Sequence, residues 1–236
     1  MQIHRLAHQM LPLCLAVAAA ACSKSSSAPT QSANTTTVTY TGVFAGQKEG
    51  GAFTISAEVP AIAAAEYNAQ VNGGSATATG TLKIAGGAAI PLTGTYNTAT
   101  GVFTLSGSSY SLTATVASNA VSGTYTGPST SGTLVALPVS STVNVTPFCG
   151  TYAGSESGRW NVAISAGKLT GVASSPDGAI ALTGTLSGVT MTMSWHPNAT
   201  DFGNATGTLN GTTVAGTWLT NTPGSHGTWT GSSGSC

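Results

Sequence analysis

The residues of this sequence that could do chemistry are few, and two histidines are the most obvious of them. His196 and His226, with Asp201, could converge as a metal site or as a general base with its orienting carboxylate. Both histidines sit among turn-forming residues, because His196 precedes Pro197-Asn198 and His226 follows Pro223-Gly224-Ser225. This context predicts exposed turn positions. We therefore expect no catalytic residue, metal or cofactor, and keep a hydrolase or metal site there as a third hypothesis.

Composition also argues against the common enzyme classes. The sequence contains no Gly-x-Ser-x-Gly elbow, His-Glu-x-x-His pair, phosphate-binding loop or dinucleotide fingerprint. Charged residues make up only 5% of the chain, which leaves little scope for paired-carboxylate hydrolysis. Beyond the N-terminal segment the charges nearly balance, so no electrostatic field would attract nucleic acid. We predict that the protein is not an enzyme and does not bind nucleic acid.

The four tryptophans form the second group of chemically informative residues, and all of them lie in the second half of the chain. Alternation places Trp160 on one strand face with Val162 and Ile164. Large rings on an inner face either fill a small barrel or line its mouth for a ligand. Both roles stay open, and the candidate ligand-binding residues are Trp160, Trp195, Trp218 and Trp229.

The N-terminus carries a sorting signal. A short head with Arg5 precedes the apolar run Met10–Ala21, which ends in small residues directly before Cys22. The segment 1–22 resembles the start of a bacterial lipoprotein, although Ala19 stands where leucine is usual. The resemblance implies that residues 1–21 are a signal peptide and that Cys22 carries acyl chains such as palmitate. Cleavage by an ordinary signal peptidase, giving a secreted or periplasmic protein, is the alternative.

The resemblance also bears on location. Lipoproteins with aspartate after the lipidated cysteine stay in the inner membrane, whereas this chain has Ser23, so the resemblance implies a lipid anchor in the outer membrane. Residues 22–37 are rich in Ser, Thr and Ala without a hydrophobic period, which predicts a flexible tether. The expected partners are the membrane, through lipid on Cys22, and envelope proteins or glycans.

If Cys14 leaves with the signal and Cys22 is acylated, Cys149 and Cys236 remain, and two cysteines in an oxidising compartment usually pair. Such a bridge would join the first strand of the second half to its last strand. Strands at opposite ends of a sequence become neighbours when a sheet closes on itself. A disulfide that pins a loose C-terminus to an open sandwich is the alternative.

The elements that position these residues are predicted to be strands. Thr, Ser, Gly, Ala and Val dominate, and frequent Gly disfavours helices by about 1 kcal/mol each relative to Ala. Only Pro60–Ala69 could form a helix, although an irregular crossover fits equally well. Short, mostly alternating runs separated by turn residues occur at Ser75–Ile84, Val102–Leu105, Ser111–Val116, Ala179–Thr185, Val189–Trp195 and Thr212–Leu219.

An internal repeat organises these runs into two halves. Each half repeats a Gly-Thr-aromatic or Gly-Thr-Leu step, in which Gly would permit a bulge or a tight bend. The matched segments are Thr41–Gly46 with Cys149–Gly154, Leu92–Tyr96 with Leu182–Leu186, and Val121–Tyr125 with Val214–Trp218. We therefore predict two tandem antiparallel meander barrels or sandwiches related by duplication, the second closed by the disulfide.

The predicted boundaries are a β domain at 38–137, a linker at 138–147 and a second β domain at 148–236. One large barrel or sandwich that shares strands from both halves is the alternative. The Gly-Thr-aromatic rhythm and the inward tryptophans are loosely similar to the avidin group, from which no ligand-contact motif carries over. The first functional hypothesis is a noncatalytic envelope or surface module, structural or adhesive, and the second is a small-molecule-binding barrel in the tryptophan-bearing half.

Overall fold

A computed structural model describes residues 35–60 and 74–236, which belong to one compact unit. The predicted signal peptide, Cys22, most of the tether and nearly all of the Pro60–Ala69 segment lie outside these residues. Within them, no helix is long and apolar enough to cross a membrane.

The first half of the chain forms a closed antiparallel barrel of eight strands in meander order. Each strand pairs with the next, and the sheet closes where β1 pairs with β8. This first barrel consists of β1 (Thr35–Gly46), β2 (Gly50–Pro60), β3 (Ser75–Ile84), β4 (Ala89–Asn97), β5 (Val102–Gly107), β6 (Tyr110–Ala117), β7 (Ala120–Thr126) and β8 (Ser131–Val139).

The second half forms another closed meander barrel, in which β9 pairs with β16. The prediction of two tandem all-β barrels is thus confirmed, and no strand is shared between them. The second barrel consists of β9 (Thr146–Gly154), β10 (Gly158–Ser165), β11 (Lys168–Ser175), β12 (Gly178–Ser187), β13 (Thr190–Trp195), β14 (Gly203–Asn210), β15 (Thr213–Thr220) and β16 (His226–Ser232).

The repeated sequence segments occupy equivalent strands of the two barrels. They fall on β1 and β9, on β4 and β12, and on β7 and β15. Strand register runs without a break through Gly94 and Gly184, so these glycines do not form bulges. Instead, a Cβ at Gly94 would overlap the carbonyl oxygen of Thr104, and one at Gly184 would overlap that of Thr192. Glycine therefore permits a close approach between neighbouring strands, as a small barrel requires.

Alternation directs one face of every strand into its own barrel. The first interior is filled by aliphatic and aromatic side chains, with Tyr40 and Phe103 in edge-to-face contact and Phe44 against Tyr125. The second interior holds three buried tryptophans together with Phe148, Met191 and other apolar side chains. Each barrel thus has its own apolar core.

The two barrels pack against each other through outward-facing residues of β1 and β8 on one side and of β10 and β11 on the other. These residues should be exposed by alternation, yet Val43, Ala45, Ala163 and Val172 are buried. Asn161, which is 2% exposed, donates from Nδ2 to the backbone oxygen of Phe44 at 2.6 Å. A buried polar group satisfied across the junction fixes how the barrels meet.

Candidate ligand-binding site in the second barrel

The structure brings all four tryptophans to one cavity inside the second barrel. Trp160, Trp218 and Trp229 are buried, whereas Trp195 at the end of β13 is half-buried. The cavity has a volume of about 70 Å³. Its other lining residues are Tyr152, Glu156, Ala173, Ile180, Leu182, Met193, Ala205 and Thr220.

Each tryptophan stands opposite a glycine on a neighbouring strand, which explains how rings of this size fit in a small barrel. Paired positions are Trp160 with Gly150, Trp195 with Gly203, Trp218 with Gly227 and Trp229 with Gly216. The rings cover the missing side chains, since a Cβ at Gly150 or Gly203 would overlap the indole of Trp160 or Trp195. The glycines of these strands are therefore needed to make room for the tryptophan rings.

Hydrogen bonds fix three of the indoles in place. Trp160 Nε1 donates to the carbonyl of Thr230 at 3.2 Å, and Trp218 Nε1 donates to that of Ala153 at 3.2 Å. Trp229 Nε1 donates to the Thr217 carbonyl at 3.1 Å. Because these N–H groups bond to the barrel wall, the rings offer the cavity only carbon surface and π faces.

Edge-to-face packing sets the ring orientations. Trp160 and Trp229 have centroids 5.0 Å apart at 89°, and Tyr152 and Trp218 have centroids 5.8 Å apart at 85°. Both are favourable geometries for aromatic quadrupoles. The floor of the cavity is thus a rigid aromatic surface.

The two ends of this barrel differ. One end is closed by the tight turns 166–167, 188–189 and 211–212, with positive φ at Ala166, Gly167, Gly188 and Gly211. The other end is rimmed by the connections 155–157, 176–177, 196–202 and 221–225. These surround a wide mouth of about 630 Å³. Glu156, Ile180, Trp195 and Thr220 line both the mouth and the cavity, so the two are continuous.

Asparagine side chains order the longest loop of the rim. Asn198 Oδ1 accepts from the backbone N–H groups of Thr200 and Asp201 at 2.9 and 2.8 Å, which makes a local turn. From the facing loop, Asn221 Nδ2 donates to the Thr200 carbonyl at 2.7 Å and Asn221 Oδ1 accepts from Phe202 N–H at 3.0 Å. These hydrogen bonds hold the rim loops in an ordered conformation in the absence of a ligand.

The charges at the mouth are acidic. Exposed carboxylates of Glu156, Asp177 and Asp201 line it, and no lysine or arginine of the described chain does. Burial raises the pKa of Tyr152 to about 12, and the negative charges of Glu156 and Asp177 add to the shift. Glu156 lines the aromatic cavity as well as the mouth, so one of these carboxylates adjoins the rings.

The histidine cluster considered from the sequence does not assemble. His196 stacks on Phe202 with centroids 5.8 Å apart, and His226 Nδ1 lies 3.0 Å from the Gly224 carbonyl. Asp201 accepts from Asn198 Nδ2 at 2.6 Å. No three His, Cys, Asp or Glu residues in the described part of the chain are grouped to hold a metal.

The predicted Cys149–Cys236 disulfide is present, with a Cα–Cα distance of 5.2 Å. Cys149 lies on β9 and pairs with Ser232 at the end of β16, so the bond spans the seam where the barrel closes. It lies toward the end with tight turns, away from the mouth.

Sequence reasoning named the tryptophans but missed Tyr152, Glu156 and Asp177. The available signal was loop length, because the 196–202 and 221–225 connections are longer than the two-residue turns at the opposite end. Long loops at one end of a barrel indicate the functional end. Comparison with known proteins adds no assignment: no protein-family model matches this sequence, and no curated protein matches it significantly.

Proposed function

We propose that this protein is a noncatalytic binding module of the cell envelope, in which the second barrel holds a small molecule with an apolar group. The apolar group would enter the tryptophan-lined cavity and the remainder would lie in the mouth. Of the functions that the sequence left open, the geometry favours the small-molecule-binding barrel over a purely structural or adhesive role and over a hydrolase.

The cavity itself carries this proposal. A small barrel with no ligand to accommodate would fill its interior, because empty apolar space costs stability. The second barrel instead keeps a cavity that leads into an ordered mouth. Apolar, aromatic and concave sites with a few polar groups at the rim are typical of small-molecule binding.

The location remains part of the proposal. Acyl chains on Cys22 would anchor the chain in the outer membrane, with secretion or a periplasmic location as the alternative. Intact mass of the mature native protein tests this point, because acylation adds the mass of its lipids to a chain that begins at Cys22. A mature protein of unmodified mass would overturn the lipid anchor without affecting the cavity.

A neutral probe tests binding. We expect 3,3-dimethyl-1-butanol to change the tryptophan fluorescence of the purified full chain saturably, because its tert-butyl group fits an apolar cavity. Ala205→Leu should reduce the affinity at least about ten-fold, since the added carbons occupy the cavity next to Met193 and Trp218.

Ala215→Leu is the matched control, because Ala215 lies on the exposed outer face of β15. It should bind the probe like the parent. Equal binding by the Ala205→Leu variant would overturn the proposed site, and so would an absence of saturable binding by the parent of both this probe and its analogues of similar shape and different charge.

A further inference from the structure

Resting on the proposed function, we infer that the ligand is a small organic ammonium ion, whose alkyl substituents enter the tryptophan-lined cavity while its charge is held by Glu156 and Asp177 at the mouth. The inference depends on three properties of the site: its supply of hydrogen-bond donors, its charge and its aromatic surface.

The cavity is poor in hydrogen-bond donors. Three of its four indole N–H groups already bond to backbone carbonyls of the barrel wall. The hydroxyl of Tyr152 donates to the Ser174 carbonyl at 3.1 Å. A carboxylate, phosphate or sulfonate would find few donors in the cavity, and at the mouth it would meet the like charges of Glu156, Asp177 and Asp201.

The site is rich in acceptors and negative charge. Glu156 lines both cavity and mouth, and Asp177 lines the mouth beside it. Ionised carboxylates only accept hydrogen bonds. Of the basic residues that the structure describes, Lys48 and Lys83 lie in the first barrel, and Lys168 lies at the closed end of the second.

The remaining basic residue, Arg159, is separated from the mouth. It lines a crevice between the barrels, together with Gly50, Cys149 and Asn161. Lys48 follows Gln47, which donates to the Pro176 carbonyl at 3.2 Å, but Lys48 is itself exposed and does not line the mouth. The carboxylates of Glu156 and Asp177 therefore face a mouth whose lining contains no lysine or arginine of the described chain.

The aromatic surface suits the same ligand. Trp160, Trp218 and Trp229 present π faces and carbon edges, and an alkylated ammonium ion is attracted to the faces of tryptophan and tyrosine rings. Such an ion needs few hydrogen bonds and gains from both its apolar substituents and its charge. A neutral sugar could also stack on these rings, but it carries no positive charge to meet the carboxylates at the mouth.

Three water-soluble compounds of nearly equal shape separate these terms. Choline carries a trimethylammonium group, 3,3-dimethyl-1-butanol is its neutral carbon counterpart, and 3,3-dimethylbutanoate has the same apolar group with a negative charge. We expect the full chain to bind choline about ten-fold more tightly than the alcohol at low ionic strength, and the anion most weakly. Raising the salt concentration should reduce the preference for choline, because the carboxylates at the mouth are exposed.

The double variant Glu156→Gln/Asp177→Asn tests the carboxylates. It should lose about ten-fold in choline affinity and leave the affinity for the alcohol unchanged, because exposed ion pairs each contribute up to about five-fold. Glu58→Gln is the matched control, because Glu58 is an exposed acid on β2 of the first barrel. This control should bind all three compounds like the parent.

The outcomes separate this inference from the proposed function. If the alcohol binds but choline binds no better, or if the double variant keeps the preference for choline, the cationic ligand is wrong and the cavity stands. If none of the three compounds binds saturably, the proposed function fails as well.

Discussion

The two barrels share strand order and repeated sequence but differ in what occupies the equivalent end of each. In the first barrel Glu49, from the β1–β2 loop, turns toward the interior. Tyr110 Oη donates to its carboxylate at 3.0 Å, and Tyr125 Oη donates to its backbone oxygen at 3.2 Å. In the second barrel Glu156, from the equivalent loop, is exposed at the mouth. The equivalent loop thus holds an acid against two buried tyrosines in one copy and exposes an acid at the mouth in the other.

Loop length accompanies this difference. The β5–β6 connection is the tight turn 108–109, with a positive φ at Ser108, whereas the equivalent β13–β14 connection runs from 196 to 202. The repeat also places Tyr125 where the second barrel has Trp218. A longer β13–β14 loop and larger rings opposite glycines thus accompany the cavity of the second barrel. The comparison teaches that the site depends on these local changes and not on the fold.

Removal of the disulfide should produce the largest difference in stability between the two barrels. Cys149→Ala/Cys236→Ala should destabilise the second barrel by about 4–5 kcal/mol in the chain-entropy model, since the bond spans a sequence separation of 87 residues. The first barrel contains no tryptophan, so tryptophan fluorescence during urea unfolding reports the second barrel alone. A tyrosine-based transition that moves by the same amount would show that the barrels unfold as one unit.

The same substitution, alanine to leucine at one buried position of each core, sharpens the contrast between the two interiors. Ala114→Leu should destabilise the first barrel by about 1–3 kcal/mol, because Ala114 is 1% exposed and lies within the apolar core, where added carbons force neighbouring side chains to shift. Ala205→Leu should change stability by about 0.5 kcal/mol or less, or raise it, because Ala205 faces the cavity. Equal destabilisation by both, measured by urea unfolding, would contradict the difference between the barrels.

Breaking the hydrogen bond between the two barrels should have a smaller effect on stability. Asn161→Ala should cost about 1–2 kcal/mol of unfolding free energy, because it removes a buried side-chain hydrogen bond between the barrels. The control Asn204→Ala, on the exposed face of β14, should change stability by about 0.5 kcal/mol or less. If both variants unfold at the same urea concentration as the parent, the Asn161 bond does not hold the barrels together.

Titration of Tyr152 at alkaline pH should produce the smallest change in the stability of the protein. The pKa of Tyr152 is raised to about 12 by burial and by Glu156 and Asp177, so the folded state keeps a proton that the unfolded state releases near pH 10. This contribution is complete below pH 10 and declines as the pH rises from 10 to 12. Urea midpoints measured across that range should fall less steeply for Tyr152→Phe than for the parent. Identical slopes would argue against this environment for Tyr152.

Much of the fold was predictable, because alternation, turn residues and the duplication mark strands and their order. The partners of Cys149 and the inward face of Trp160 followed from the same patterns. The packing of one barrel against the other was not predicted. A signal for it was present, because the unbroken apolar run Val43-Phe44-Ala45 departs from alternation and so places apolar residues on the outer face of β1 as well. The acids at the mouth were missed because loop residues have no periodicity, and only the closed sheet brings Glu156 and Asp177 beside the same cavity.

The most direct test of the central claim is ¹⁹F NMR of the full chain labelled with 5-fluorotryptophan and titrated with 3,3-dimethyl-1-butanol and choline. Because Trp195 and Trp218 line the cavity, their resonances should shift saturably with at least one of the two compounds, and Ala205→Leu should abolish the shifts. Four resonances that do not move with either compound would contradict a ligand-binding second barrel.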